Sequence, residues 1–408
     1  MQFLENVSNK KNDIIYFSIE HIFIIKALVF QRKWSIFMSN KLTYILFPTW
    51  QCNLNCLYCY ASEKLDGASM CLETLDLVHK RIYENDQEYK KSRIIWHGGE
   101  PSLLGIRFFE YVINIQNKYS NHIFENSVQT NCAMKNTDIL EFWIENGFKI
   151  GISYDGNKTV QSKTRIYHNG KSSNTRVMSN INYLQKRNIK FGLISVINSY
   201  SVNDPKGYYS SIRTIAPNSV RINPLVPIGN ATRNVDIHIS PIEYGEFLIA
   251  ILNYWICEPQ VSFIIEPLSD MLQSLITKKP RSCAFLNDCT NFFIGIDPYG
   301  NISPCGRLSK NDFYFGNIYN QSISDAIQSD ASKNFRRYAA ERLSQCYGCE
   351  LLPICNGGCF SNTLLLDNLN SSISNKDYYC DSYRMLYNYM YQLLTKEKTI
   401  SWNQKELT

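Results

Sequence analysis

From Thr43 to about Pro224, short apolar runs alternate with longer amphipathic stretches. The runs Thr43–Phe47, Arg93–His97, Asn126–Thr130, Lys149–Ser153, Lys190–Val196 and Ser219–Asn223 predict strands. Between them Leu72–Glu84, Arg107–Tyr119, Thr137–Asn146 and Thr175–Lys186 carry helical apolar spacing. Strand–helix alternation predicts a parallel sheet with helices packed outside it. Six units are too few for a closed eight-fold barrel. The count fits an open, partial (β/α)6 barrel, with its site at the C-terminal ends of the strands.

After Pro227 the pattern changes. Ile242–Cys257 and Glu266–Ile276 read as helices, and Tyr383–Lys396 as a closing helix. Between Arg281 and Tyr383 the chain is rich in cysteine and poor in periodicity, and such a region needs staples. The expected division is an N-terminal extension (1–37), an α/β core (38–230), a helical bridge (231–280), a cysteine-rich domain (281–385) and a helix with tail (386–408). Met38 stands just before the first strand, so residues 1–37 read either as an extra element or as upstream of the true start.

Charge and composition narrow the class. The 408 residues carry 42 Lys and Arg against 36 Asp and Glu, with no basic block of the kind that binds nucleic acid. The apolar run Ile14–Phe30 is broken by Glu20, His21 and Lys26, so no membrane span is expected. The N-terminus lacks a signal-peptide layout. Fourteen cysteines without an export signal favour metal in a reducing cytoplasm over disulfides.

Cys52, Cys56 and Cys59 follow the first strand as C-x3-C-x2-C. Three thiolates on one loop can hold three irons of a [4Fe–4S] cluster and leave the fourth open. A zinc knuckle that recruits Cys71 is the alternative. With Tyr58 before the last cysteine, the loop resembles the signature of radical S-adenosylmethionine (SAM) enzymes. His97-Gly98-Gly99-Glu100-Pro101 ends the second strand and resembles the turn that binds the methionyl amine of SAM in that family, with Glu100 as acceptor. Gln129-Thr130-Asn131 ends the third strand and Ser153-Tyr154-Asp155-Gly156 the fourth, with Arg165 soon after. The resemblance implies cofactor-binding roles for Gly98, Gly99, Glu100, Pro101, Asn131, Ser153 and Arg165. Arg165 would pair with the SAM carboxylate.

The later cysteines run Cys289-x10-Gly300-x4-Cys305, then Cys346-x2-Cys349-x5-Cys355-x3-Cys359, then Cys380, with Cys283 ahead of them. The pattern resembles the SPASM extension of radical SAM enzymes. Eight thiolates suffice for two [4Fe–4S] clusters. Resemblance to anaerobic sulfatase-maturing enzymes implies one auxiliary cluster on Cys283, Cys289, Cys305 and Cys359. The other would sit on Cys346, Cys349, Cys355 and Cys380. Three clusters and SAM are then the expected cofactors. Cys71, Cys132 and Cys257 are left without a role.

These resemblances imply reductive cleavage of SAM to a 5′-deoxyadenosyl radical that attacks an unactivated C–H bond, with the auxiliary clusters accepting the electron left behind. A low-potential donor such as flavodoxin or ferredoxin would supply the first electron. SPASM enzymes mostly act on peptides or proteins. Sulfatase maturases carry Asp directly after the cysteine that matches Cys305, as proposed base. Here the run is Cys305-Gly306-Arg307, and neither Asp297 nor Asp312 is placed by the sequence as a substitute. The block Trp96–Pro101 is similar to maturases that join an aromatic ring to a neighbouring β-carbon. The favoured expectation is oxidative cross-linking of a ribosomally made precursor peptide. Formylglycine formation on a sulfatase is the alternative, and a non-catalytic iron–sulfur electron carrier is the alternative from another class.

Overall fold

The computed structural model describes residues 42–64, 67–258, 262–286, 288–309, 311–367 and 376–395. The expected extension 1–37 and the tail beyond Thr395 lie outside the described residues. One sheet of ten strands runs through the molecule: β1 (Thr43–Thr49), β2 (Lys91–Gly98), β3 (Ile123–Thr130), β4 (Lys149–Ser153), β5 (Phe191–Ile197), β6 (Ser219–Pro224), β7 (Ile264–Glu266), β8 (Phe293–Ile296), β9 (Asn301–Ser303) and β10 (Gly316–Asn317). Their order is β10-β9-β8-β1-β2-β3-β4-β5-β6-β7. The row from β8 through β1 to β7 is parallel; only β8–β9 and β9–β10 are antiparallel.

The six strands predicted from periodicity are β1 to β6, in an open row. Four strands were not legible. β7, β8, β9 and β10 have four residues or fewer, too few for alternation to show. They change the picture of the cysteine-rich region, because its first strand, β8, pairs in register with β1 (Thr43 with Phe293, Leu46 with Ile296). The region is therefore built onto the edge of the core sheet.

Helices cover the sheet: α1 (Leu72–Asp86), α2 (Gly105–Asn117), α3 (Asp138–Glu145), α4 (Lys158–Thr164), α5 (Asn174–Lys186) and α6 (Pro205–Ile215). Alternate strand residues meet them. Trp96 of β2 packs edge-on against Phe108 and Phe109 of α2, and Phe109 against Trp143 of α3. Ile45, Phe47, His97, Gln129 and Ser153 lie on the other strand face.

The bridge forms α7 (Pro241–Ile256) and α8 (Leu268–Thr277). Ser240 and Glu243 make a reciprocal cap, with Pro241 in the first turn, which needs no N–H. Glu266, predicted as helical, instead ends β7 beside Arg221 of β6. Beyond β10 lie three helical segments, Ile323–Gln328, Asp330–Glu341 and Leu352–Cys355, then α9 (Phe360–Asp367) and α10 (Cys380–Thr395). The closing helix thus begins at Cys380, three residues before the predicted start. It lies along α7, where a Cβ on Gly245 would come within 3.2 Å of Ser382 Cα and Tyr389 donates to Asn253 Oδ1 at 2.7 Å.

Candidate active site and metal centres

The loop after β1 carries Cys52, Cys56 and Cys59 and is braced on three sides. Asn55 and Leu57 N–H donate to Ile166 and Thr164 carbonyls at 2.7 and 2.9 Å. From the segment after β6, Asn230 donates to the carbonyls of Cys56 (2.9 Å) and Cys59 (3.0 Å), and Asn234 to that of Leu57 (3.0 Å). Gly229 makes this approach possible: at φ +55°, a Cβ there would stand 2.2 Å from Cys59 O. On the third side the end of β2 zips onto the loop, with Gly99 N–H to Thr49 O at 2.9 Å and Glu100 N–H to Gln51 O at 2.7 Å. A Cβ on Gly99 would lie 2.1 Å from Gln51 O. The sequence predicts that Gly98 and Gly99 bring backbone close to a ligand; the close approach found is to the cysteine loop.

Burial pushes the Cys52 thiol up to about 11 and the Cys56 thiol up to about 12; charge on neighbouring cysteines adds to it. Burial also raises Cys59. Thiols in such surroundings resist ionisation unless a cation joins them. Arg165 supplies one positive charge. Its Nη1 donates to Tyr58 Oη at 2.9 Å, and Tyr58 donates to Asp155 Oδ2 at 2.5 Å. Arg165 Nε is buried and has no hydrogen-bond partner.

Glu100 is fully buried, and burial raises its carboxyl above the usual range. It accepts from Thr130 Oγ1 (2.6 Å), Ser102 N–H (3.0 Å) and Asn131 N–H (2.7 Å). The Ser102 side chain also acts on it as a hydrogen-bond donor, so the carboxylate is ringed by donors. Asn131 also donates to Cys52 Sγ at 3.8 Å and Asn53 Oδ1 at 2.7 Å. Ser153, at the end of β4, accepts from Gln129 Nε2 at 3.0 Å. Pro101 starts the turn that Glu100 caps. Six of the seven residues predicted to hold SAM thus sit at or just after the ends of β2, β3 and β4, and the seventh, Arg165, caps the C-terminus of α4. Charge on Glu100 and on Arg165 acts on Cys52. The residues fit an amino-acid head group in charge: Glu100 offers a carboxylate to an ammonium, and Arg165 has a donor for a carboxylate.

The eight later cysteines fall into two groups by the charges that act on them. Cys289 is raised by its own burial, then by Cys305, Cys359 and Cys283. Cys305 is raised to about 11 by burial and then by Cys359. In the other group Cys355 is raised to about 12 by burial, then by Asp377, Cys380 and Cys346. Cys346 is raised by burial and, less strongly, by Cys349. The grouping coincides with the partition that the resemblance implies. Among the described residues no three Cys, His, Asp or Glu side chains gather tightly enough for a single metal ion. Tetrahedral zinc would need thiolates about 3.8 Å apart, from Zn–S of ~2.3 Å. Cluster ligands are spread over several irons.

Asp297 is no free base. It is buried and accepts from Tyr299 N–H, Asn301 N–H, Asn301 Nδ2 and Tyr314 Oη at 2.9 to 3.0 Å. Cys71 caps α1 by accepting from Thr74 N–H at 3.4 Å, and Cys132 is buried in the core. Sequence reasoning missed Gly229, Asn230, Asn234, Tyr60 and Arg307. A glycine followed by Asn residues after the last core strand was the one signal available for the first three.

An open parallel sheet whose first loop carries three clustered thiols, with a Gly–Gly–Glu turn at its second strand, defines the radical SAM class. The Radical SAM superfamily matches residues 46–210 and the SPASM iron–sulfur cluster-binding domain matches residues 288–350. The serine-type anaerobic sulfatase-maturating enzyme of Bacteroides thetaiotaomicron is 27% identical over 336 residues, 76% of this chain and 80% of that one. The cysteine-type enzyme of Clostridium novyi is 27% identical over 366 residues, 86% of this chain and 96% of that one. Among solved structures, native anSMEcpe with bound AdoMet and Cp18Cys peptide has a TM-score of 0.78 at 24% identity, covering 88% of this chain and 98% of that one. Streptococcus suis SuiB bound to precursor peptide SuiA has a TM-score of 0.61 at 14% identity, covering 92% and 85%. At these identities the two structures establish the fold. The chain is a radical SAM enzyme with a SPASM domain, close in sequence to anaerobic sulfatase-maturating enzymes, and its domains imply SAM and iron–sulfur clusters as cofactors. Among the described residues no helix is long and apolar enough to cross a membrane.

Proposed function

We propose that this enzyme oxidises a C–H bond of a peptide substrate, using SAM on the Cys52–Cys56–Cys59 cluster and two auxiliary [4Fe–4S] clusters, three in all. The observation that carries the reading is the buried, unpaired Nε of Arg165, which with the buried carboxyl of Glu100 stands beside Cys52 of the three-cysteine loop. When bound there, SAM supplies the radical that abstracts hydrogen. The chain's own residues hold and orient it. Glu100 takes the ammonium and Arg165 the carboxylate, while Tyr58 and Asp155 keep the guanidinium in place. Asn131 steadies Cys52, and Ser153 with Gly98, Gly99 and Pro101 completes the wall. A flavodoxin or ferredoxin is the proposed electron donor.

The proposed substrate is a ribosomally made precursor peptide that loses two hydrogens in a cross-link. Position 306 supports this choice. A Cβ on Gly306 would lie 3.0 Å from Phe47 Cζ and 3.2 Å from Tyr60 Oη. The direction in which a sulfatase maturase would project Asp is filled here by two aromatic side chains. The second reading, formylglycine formation, is favoured by the two sulfatase-maturating relatives.

The test uses anaerobically reduced, iron-replete enzyme with SAM. It is offered any short peptide found encoded beside its gene, or a sulfatase peptide carrying Cys or Ser. Loss of two hydrogens from the first, with no aldehyde, supports cross-linking. A hydrazide-reactive aldehyde on the second moves the assignment to sulfatase maturation. Absence of 5′-deoxyadenosine under all conditions overturns the catalytic reading in favour of an electron carrier.

A further inference from the structure

Arginine stands beside each of the three cysteine groups, and the group of Cys283 has two: Arg221, which acts on Cys283 but is already paired with Glu266, and Arg307. Arg165, by the first group, bonds Tyr58. Arg342, by Cys346, donates to backbone carbonyls: Asn356 at 3.2 Å, Gly358 at 2.7 Å and Gly357. Arg307 lies two residues after Cys305, in the turn Gly306–Leu308 that Cys305 caps. Its Nη1 reaches across to Asn362 Oδ1 at 3.1 Å. Asn362 is buried on α9, its N–H donates to Cys359 O at 3.0 Å, and its amide is fixed by Asp377 at 3.1 Å. The guanidinium therefore bridges the turn of Cys305 and the turn of Cys359, which belong to the same group. When ionised, Cys359, Cys305 and Cys283 are the negative groups that act on it most strongly.

We propose that Arg307 is a tuning residue that raises the reduction potential of the auxiliary cluster on Cys283, Cys289, Cys305 and Cys359, making it the preferred electron acceptor. The physics is one of charge. On reduction the cluster gains one electron and no proton, so its net charge becomes more negative. A fixed cation at its edge stabilises the reduced form more than the oxidised form. Arginine keeps its charge at every accessible pH. The oxidation proposed above leaves one electron on the substrate after hydrogen abstraction, and this cluster takes it. The inference rests on that reading for the electron's source, but the potential itself is a property of the resting protein.

The experiment is an EPR-monitored potentiometric titration of the full-length, iron-replete protein, without SAM or peptide. Arg307→Gln and Arg307→Met remove the charge; Arg307→Lys keeps it. Expected is a fall of one midpoint potential in an iron-replete neutral variant, with the other two unmoved and Arg307→Lys near wild type. No fall in either neutral variant overturns the proposal, and so does an equal fall in Arg307→Lys. Loss of four irons from both neutral variants also overturns it, in favour of a structural role. SAM cleavage is measured alongside. A protein that cleaves SAM but shows unmoved midpoints defeats the tuning proposal alone; one that never cleaves SAM defeats the functional reading alone.

Discussion

The barrel half, β1 to β6, and the cysteine-rich region from Cys283 to Cys380 solve the same problem by different means. Both must hold thiols in low-dielectric surroundings. In the barrel, three cysteines sit within eight residues, and the sheet register positions everything else: β2, β3 and β4 end side by side, bringing Glu100, Asn131 and Ser153 to one rim. In the second region the four cysteines of one proposed ligand set span residues 283 to 359, and the two sets interleave. Few regular elements order that stretch. Its geometry comes from turns, from the short strands β8 to β10 and from side chains such as Asn362 and Asp377. The barrel is organised by backbone hydrogen bonds, whereas in the cysteine-rich region the clusters proposed above would supply much of the order.

The sharpest test of that contrast removes one set of ligands. Exchange of Cys52, Cys56 and Cys59 for Ala should abolish formation of 5′-deoxyadenosine while leaving about two-thirds of the iron, as expected from three clusters of equal size. Iron analysis and product chromatography check it. If cleavage persists, the open cluster lies elsewhere. Stripping all iron with a chelator under reducing conditions should next separate the two halves. Metal binding is folding free energy for ligands brought from far apart in sequence. Limited proteolysis should therefore cut first between Cys283 and Cys380, with the barrel's circular dichroism largely kept. Equal loss of both halves would erase the distinction.

A smaller effect is expected at Glu100. Glu100→Gln keeps the shape and removes the charge. The loss of one charge-assisted hydrogen bond costs about 1.5–3 kcal/mol, so SAM should bind roughly ten- to a hundred-fold more weakly at unchanged iron content. Equilibrium binding measures this. The mildest effect belongs to the barrel alone. His79 of α1 is fully buried; its Nδ1 meets Leu75 O at 2.8 Å and its Nε2 meets Gln116 Nε2 at 3.2 Å. Burial lowers its pKa to about 4. The unfolded chain takes up this proton near pH ~6.5 and the folded barrel resists it. The stability involved is present above that pH and is lost as pH falls from ~6.5 toward 4, by about 2 kcal/mol near pH ~5. Thermal melts at the two pH values, with and without His79→Gln, check the slope.

The barrel was far more legible than the rest. The observed β4, Lys149–Ser153, has the predicted bounds, and β1, β2, β3, β5 and β6 lie within three residues of theirs. Alternation over five to eight residues suffices to mark a strand with one face on helices. Asn-Phe-Phe-Ile-Gly-Ile, which leads into β8, gives no alternation, and its pairing with β1 joins residues 43 and 293. No local pattern carries that distance. The same reason hid Asn230 and Asn234, which steady the cysteine loop from more than 170 residues away.

What the sequence determined by itself is the chemistry: three thiols on one short loop, a Gly–Gly–Glu turn one unit later, and eight further thiols. These are properties of spacing along the chain, where a loop's reach limits what its residues can share. The tertiary structure decided what surrounds that chemistry. It set the glycines of the turn against the cysteine loop, filled the space beyond Gly306 with Phe47 and Tyr60, and laid Arg307 between Cys305 and Cys359. Such neighbours arise from packing between segments from about fifty to more than two hundred residues apart, and their charge and volume act through space, where sequence separation has no bearing.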